Sequence, residues 1–391
     1  MNPLRTWWRR LWLKRQPWAI LDDFFPNLLT GFRVAEYNAY LQAYPTLRIL
    51  STLGDFAQRH AEYAERYPEH AHRVQFFTEE ALDGCGFAYL NFLNNAVLFL
   101  PHLERRRLPF VLTMYPGGGL GLNEAESDDK LKRVMSLPGL QGIITTQRVT
   151  ADYLRDFAPR HGLRLPPLHT VTGVVVNPLY FAPDMPAHGA YFGEGKPTFD
   201  ICFVAEKYMP RGENKGYPEF IAMAHALADL PQLRFHVVGS FTPDDIDVQA
   251  LGERIRFHGR LETSQMRSFF ADKDLVVSPN KPWTLHPGNF DGFPTGSCVE
   301  ASLCGVAMMA TDVLKQDPGY AEAQAMLIVE PDDAAGLAQQ VRALVAEPGR
   351  LGRIARDGQA LSRRLYAPER QIGERMRVLD DAAAQVGLGL R

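Results

Sequence analysis

The stretch Phe290-Asp291-Gly292-Phe293-Pro294-Thr295-Gly296-Ser297-Cys298-Val299-Glu300-Ala301-Ser302-Leu303-Cys304-Gly305 reads as a Gly/Pro turn followed by a short helix. Ser297 is a good N-cap residue, and Gly305 can take the left-handed stop. The backbone N–H groups of Thr295, Gly296, Ser297 and Cys298 then lie at a helix N-terminus, where they suit a phosphate. Asp291 before the turn and Glu300 within the helix place two carboxylates beside that anion site. Such groups accept hydrogen bonds from sugar or ribose hydroxyls.

A second segment complements the first. Phe203-Val204-Ala205-Glu206-Lys207-Tyr208-Met209-Pro210-Arg211-Gly212-Glu213-Asn214-Lys215-Gly216 is a strand, a cation-bearing loop and the start of a helix. Cations at the carboxyl end of a parallel strand suit a diphosphate. Together the segments describe a phosphate-and-hydroxyl site in one α/β domain.

Around them, short apolar runs alternate with helix-period segments, the pattern of α/β layers. Residues 19–21, 47–51, 96–100, 110–114, 142–146 and 169–172 supply the runs of a first sheet. A Pro/Gly/Ala-rich stretch over 183–198 has no clear period and is expected to be a linker. The alternation restarts at Asp200 and continues through 234–239, 254–259, 274–279, 306–310 and 325–329. With 391 residues the chain is long enough for two cores. The expected domains are 19–190 and 198–361, with closing helices over 362–391. No internal repeat is evident.

Hydrophobic residues make up 46% and charged residues 22%, which excludes a disordered or fibrous chain. The net charge of −3 gives no sign of a nucleic-acid partner. Four scattered cysteines point to a reducing compartment. The start is unusual: residues 1–18 hold five cations and four tryptophans, with no acid until Asp22. Wound as a helix, this segment can dock on an anionic membrane surface or pack its tryptophans on the protein body. It has no secretory cleavage pattern. The localisation expected is cytoplasmic, peripheral at the inner face of the membrane.

In the first half, Tyr115-Pro116-Gly117-Gly118-Gly119-Leu120-Gly121 follows a strand and lets backbone approach a ligand closely. It is no dinucleotide fingerprint, because Leu122 stands where a third glycine is required. Asp22 and Asp23 lie at another strand end. Arg105-Arg106-Arg107 reads as a solvated turn.

Residues 200–345 resemble the donor-binding half of retaining, family 4-like glycosyltransferases of the GT-B fold. The resemblance rests on the loop ending Lys215-Gly216, then Val237-Val238-Gly239, Arg256-Phe257-His258-Gly259, Asp274 to Pro279, and the acidic Gly-Phe-Pro turn with its Glu-Ala helix. It implies two Rossmann-like α/β/α domains facing across a cleft, and closing helices that cross back to the first domain. It also implies transfer of a sugar from a nucleotide sugar to a glycan or lipid-linked acceptor, with retention, in surface polysaccharide or glycolipid assembly. No metal or other cofactor is expected.

By resemblance, Glu300 binds the ribose and Asp291 contacts the donor sugar. Lys215, with Arg211 or Lys207, neutralises the diphosphate, and Gly239 and the Gly259-Arg260-Leu261 turn hold the base. Tyr115, Gly117, Gly118, Gly119, Asp22 and Asp23 fall on the acceptor side, while Trp283 and His286 flank the donor sugar. Three features depart from the family. Eight residues separate Asp291 from Glu300 where seven are usual. The basic loop is longer than usual, and Tyr115 replaces a frequent His. A sugar-nucleotide epimerase or a non-catalytic glycan-binding subunit are the alternatives.

Overall fold

The computed structural model describes residues 14–391. Two units divide the chain: residues up to Val175 together with Pro368–Arg391, and Val176–Ala367.

The first unit is built on seven strands: β1 (Trp18–Asp22), β2 (Leu47–Ser51), β3 (Val74–Phe76), β4 (Ala88–Asn91), β5 (Phe110–Met114), β6 (Leu140–Thr145) and β7 (Leu168–Thr170). All pairs are parallel, in the order β3-β2-β1-β4-β5-β6-β7. The central strands β1, β4 and β5 are buried at every residue, as parallel strands covered on both faces must be. The second unit has β8 (Phe199–Val204), β9 (Leu233–Val238), β10 (Ile255–Phe257), β11 (Leu275–Ser278), β12 (Ala307–Thr311) and β13 (Leu327–Val329). They too are all parallel, in the order β10-β9-β8-β11-β12-β13. Each unit is therefore a doubly wound, Rossmann-like α/β/α layer structure.

The order reverses direction between β1 and β4 in one unit, and between β8 and β11 in the other. Loops leaving two strands at such a point diverge to opposite faces and open a crevice at their carboxyl ends. In the second unit those loops are 205–216 and 279–295. They contain Lys215 and Asp291.

Several expectations change. The apolar run 96–100 is helical, inside α1 (Leu93–Arg106). Ala96, Phe99 and Leu103 are buried while Leu98 is exposed, a helical period that five consecutive apolar residues conceal. The strand in that position is β4, eight residues earlier. The stretch 183–198 is no linker. Tyr191 is buried in the second core, its hydroxyl donating to the Gly305 carbonyl at 2.8 Å. His188 stacks on the Tyr191 ring. The passage between units falls earlier, at Val175–Val176.

The amino-terminal expectation is also revised where the structure describes it. Trp18 begins β1, fully buried, with Tyr44 and Phe87 edge-on to its ring. Lys14–Arg15 form a short strand parallel to Leu388–Gly389. Residues 1–13 lie outside the described residues. At the other end, the helix Pro348–Leu365 stays in the second unit, and Pro368–Gln385 packs in the first. Arg375 of that last helix is fully buried, donating to the Gly173 carbonyl at 2.9 Å. Among the described residues, no helix is long and apolar enough to cross a membrane.

Candidate nucleotide-sugar site

The loop after β8 turns sharply to present its lysine. Arg211, Gly212 and Gly216 all have left-handed backbones, with φ of 57°, 60° and 71°. A Cβ on Gly216 would lie 2.0 Å from the Pro279 carbonyl oxygen, so glycine is what allows the two crevice loops to touch. The Lys281 amide then donates to the Asn214 carbonyl at 3.0 Å. Held in this way, Lys215 is only 9% exposed and reaches both Asp291 oxygens, at 2.7 and 2.8 Å. Asn280 donates to the same carboxylate at 2.7 Å. The Tyr208 ring lies 5.2 Å from the Lys215 ammonium, an attractive arrangement for a cation.

Past Asp291, the chain enters α2 (Gly296–Leu303). Its N-cap is Thr295, not Ser297: the Thr295 hydroxyl accepts from the Cys298 amide at 3.4 Å. Ser297 lies in the first turn and instead donates to the Val204 carbonyl at 3.0 Å, joining the helix to the end of β8. The cap lies two positions earlier because Thr295 has the extended backbone a cap requires, whereas Ser297 is already within the first helical turn. The first-turn amides of Gly296 and Ser297 precede the helical hydrogen-bond ladder and carry the positive end of its dipole. Cys298 is buried in the core beneath.

Glu300 lies one turn further on, half-buried. Burial pushes its carboxyl up to about 7, partly offset by the Tyr180 hydroxyl that faces it. A cavity of about 40 Å³ opens beside Asp291, among Ser278, Asn280, Thr295, Thr311 and Gln316.

The remaining expected residues are distributed around this centre. Gly239 follows β9 with φ 127°, and a Cβ there would lie 1.9 Å from the Ala205 carbonyl oxygen. Its amide donates to the Gly259 carbonyl at 2.9 Å, fixing the Gly259-Arg260-Leu261 turn. Arg260 makes a two-point pair with Glu206, at 2.6 and 3.0 Å. Leu261 packs on the second unit's core. Lys207 is paired with Asp245 at 2.8 Å. Arg211 is exposed and lines a separate hollow of about 370 Å³ with Glu219, His225 and Asp332. Neither cation meets Lys215 at Asp291. Trp283 and His286 lie on an exposed loop. Tyr208, Asn280 and Tyr180 were not expected at the site. Asn280 alone carried a signal, as the residue following the Ser278-Pro279 strand end.

In the first unit, Asp22 is fully buried. It accepts from the Phe24 and Phe25 amides, Arg33 and Tyr37, at 2.6 to 2.8 Å. Its lone pairs are used in holding the turn. Asp23 is more open, and Arg33 approaches it at 3.2 Å. Burial and the Asp22 charge raise its carboxyl above the ordinary value. Tyr115 is 2% exposed, its hydroxyl donating to the buried Glu36 at 2.8 Å. Gly117, Gly118 and Gly119 all have positive φ, and a Cβ on Gly118 would strike the Phe92 ring. Among the described residues, no cluster of three or more His, Cys, Asp or Glu could hold a metal ion.

Comparison with known proteins agrees with this fold. Residues 198–347 match the family described as Glycosyl transferases group 1. The fold resembles HepE from Anabaena solved with UDP-glucose, with a TM-score of 0.65 and 16% identity over 94% of this chain and 100% of that one. It also resembles sucrose-phosphate synthase from Thermosynechococcus elongatus, with a TM-score of 0.61 and 14% identity over 94% and 100% of the two chains. A glycosyltransferase from Rickettsia africae gives a TM-score of 0.66 and 12% identity over 94% and 98%. No curated protein sequence matches the chain significantly. Residues 198–347 thus match the Glycosyl transferases group 1 family, within a chain whose two Rossmann-like units have the GT-B fold.

Proposed function

We propose that the protein transfers a sugar from a nucleotide sugar to a hydroxyl of a glycan or lipid-linked acceptor, with retention of configuration. One observation carries this reading: Lys215 and Asp291 pair at 2.7 Å across the crevice, beside the N-terminus of the helix that bears Glu300. Lys215 and the first-turn amides of α2 receive the diphosphate. Glu300 accepts from the ribose hydroxyls, Asp291 from the sugar, and the turn after Gly239 holds the base. As the bond from the anomeric carbon to the diphosphate breaks, negative charge grows on the leaving oxygen. Fixed positive groups aimed at that oxygen lower the barrier. The acceptor oxygen forms the new bond on the same face, and its proton passes to the departing phosphate. These groups already supply the positive charge, so the proposal calls for no metal.

The acceptor is assigned to the loops of the first unit, with Asp23 and Gly117 to Gly119 as contacts and Asp22 as their support. UDP-glucose is the first donor to test, because HepE was solved with it. A thermal-shift panel of nucleoside diphosphates and nucleotide sugars checks the reading. A ligand held only by the native state, at about 100 times its Kd, adds about 2.7 kcal/mol of apparent stability. One base is expected to stand out, and no shift with any member would refute the reading.

The surface-polysaccharide or glycolipid role and the peripheral membrane location rest on residues 1–13, which carry Trp7, Trp8 and Trp12 among cations. Removing them should release the protein from anionic liposomes. Unchanged co-sedimentation would refute the membrane role.

A further inference from the structure

A buried polar chain crosses three strands of the second unit, and the chemistry above does not use it. Asp200 on β8 accepts from His236 on β9, at 2.8 Å from its Nε2. The other ring nitrogen of His236, Nδ1, lies 3.0 Å from Nε2 of His258, the residue after β10. Asp200 and His236 are 8% and 7% exposed. The Phe269 ring of the helix Thr263–Phe270 meets both imidazoles edge-on.

The chemistry of the chain fixes its protons. Ionised Asp200 can only accept, and it also takes the Thr198 hydroxyl at 2.8 Å and Lys196 at 2.9 Å. His236 therefore donates through Nε2 and, when neutral, offers a lone pair at Nδ1. His258 must fill that lone pair with its Nε2–H. With both rings protonated, the His236 Nδ1–H and the His258 Nε2–H would face each other with no lone pair between them. A proton added to His258 would put a cation among cations.

The neighbours bear this out from every side. Lys273, paired with Asp272, faces both rings from the segment before β11, and Arg256 on β10 faces His258. Lys196 and Asp274 lie behind Asp200. Burial is the main cause holding both imidazoles below their ordinary value. Lys273 adds to it at both rings, and His236 and Arg256 add to it at His258, while Asp272 opposes at both and Asp200 at His236.

The chain ends at the donor site. The His258 amide donates to the Val237 carbonyl at 2.9 Å, and the next carbonyl, Gly259, accepts from Gly239. The ring and backbone of residues 258–259 thus tie the Gly259-Arg260-Leu261 turn to the end of β9. We propose that His258 is a positioning residue for the donor site: the neutral Asp200–His236–His258 relay holds the base-binding turn, and protonation of the histidine pair releases it. Donor binding then weakens at mildly acid pH. This inference rests on the assignment of that turn to the donor.

The test is calorimetric titration of the full chain with UDP-glucose between about pH 4.5 and pH 8, comparing wild type with His258→Gln. Glutamine keeps an N–H for His236 and takes up no proton. At the alkaline end the two affinities should agree within about twofold. At the acid end the wild type should have lost about tenfold more affinity, the equivalent of one pKa unit. Glu300 ionises in the same window in both proteins, so its effect cancels in the ratio. A ratio that stays constant with pH would overturn the proposal. Hydrogen-exchange protection of the Gly239 amide is read in parallel. It should fall about tenfold on acidification in wild type and hold in His258→Gln, a loss again equivalent to one unit. Protection unchanged in wild type would overturn the relay even if UDP-glucose bound at no pH. That last result alone would instead remove the donor assignment.

Discussion

Lys215→Ala is expected to lower the rate of sugar transfer by roughly 10²–10³-fold, the usual cost of removing one preorganised group that stabilises a leaving anion. Lys215 is 9% exposed and is the one cation that the two crevice loops bring onto Asp291. Neither candidate substitute is placed to replace it, because Lys207 is held by Asp245 and Arg211 lines another hollow. The fold should survive. Asp291 is about one-third exposed and keeps Asn280 as a donor, so the loss in stability should be about 1–2 kcal/mol. Steady-state transfer and urea unfolding of the same preparation separate the two effects. Near-wild-type transfer by a folded Lys215→Ala protein would remove Lys215 from the mechanism.

Glu300→Gln should make the ligand-free protein more stable while nearly abolishing its function. Burial raises the Glu300 carboxyl from 4.5 to about 7. The native state therefore keeps its proton to higher pH than the unfolded chain does. Below 4.5 both states are protonated and the group costs nothing. Between 4.5 and 7 the native state binds more protons, so stability falls as pH rises. Above 7 the full cost of a buried charge is present, roughly 2–3 kcal/mol. Glutamine cannot ionise, so the variant's gain in unfolding free energy should be small near pH 5 and largest near pH 8. The same substitution replaces the proposed charged acceptor of the ribose hydroxyls, which should weaken donor affinity by ten- to a hundredfold. Such opposition between stability and activity is expected where a binding site holds a strained or desolvated group. Equal stability of the two proteins at pH 5 and pH 8 would show that Glu300 is not desolvated.

Local chemistry made much of this architecture legible. Alternating apolar runs announce parallel sheets, because strands buried on both faces lose the period-two pattern and become short apolar blocks. The same loss explains the misplaced strand at 96–100: a buried helix and a buried strand look alike over five residues. The pairing of Lys215 with Asp291 follows from two loops flanking one switch point, since each was recognisable as a strand-end turn. The cap at Thr295 was missed because Ser297 is the better cap by propensity, and the extended backbone of Thr295 decides otherwise. Asp200, His236 and His258 could not be joined from sequence. Their contact depends on β8, β9 and β10 being neighbours in the sheet, and that order is a property of the whole unit. Tyr115 likewise sits at a strand end that suggests ligand contact, yet Glu36, far away in sequence, turns its hydroxyl inward.

The central claim is most directly tested by a crystal structure of the protein soaked with UDP-glucose. The diphosphate is predicted to lie within hydrogen-bond distance of the Lys215 ammonium and the Gly296 and Ser297 amides, with the ribose hydroxyls on Glu300. A nucleotide bound elsewhere, with the Lys215–Asp291 pair untouched, would contradict the account.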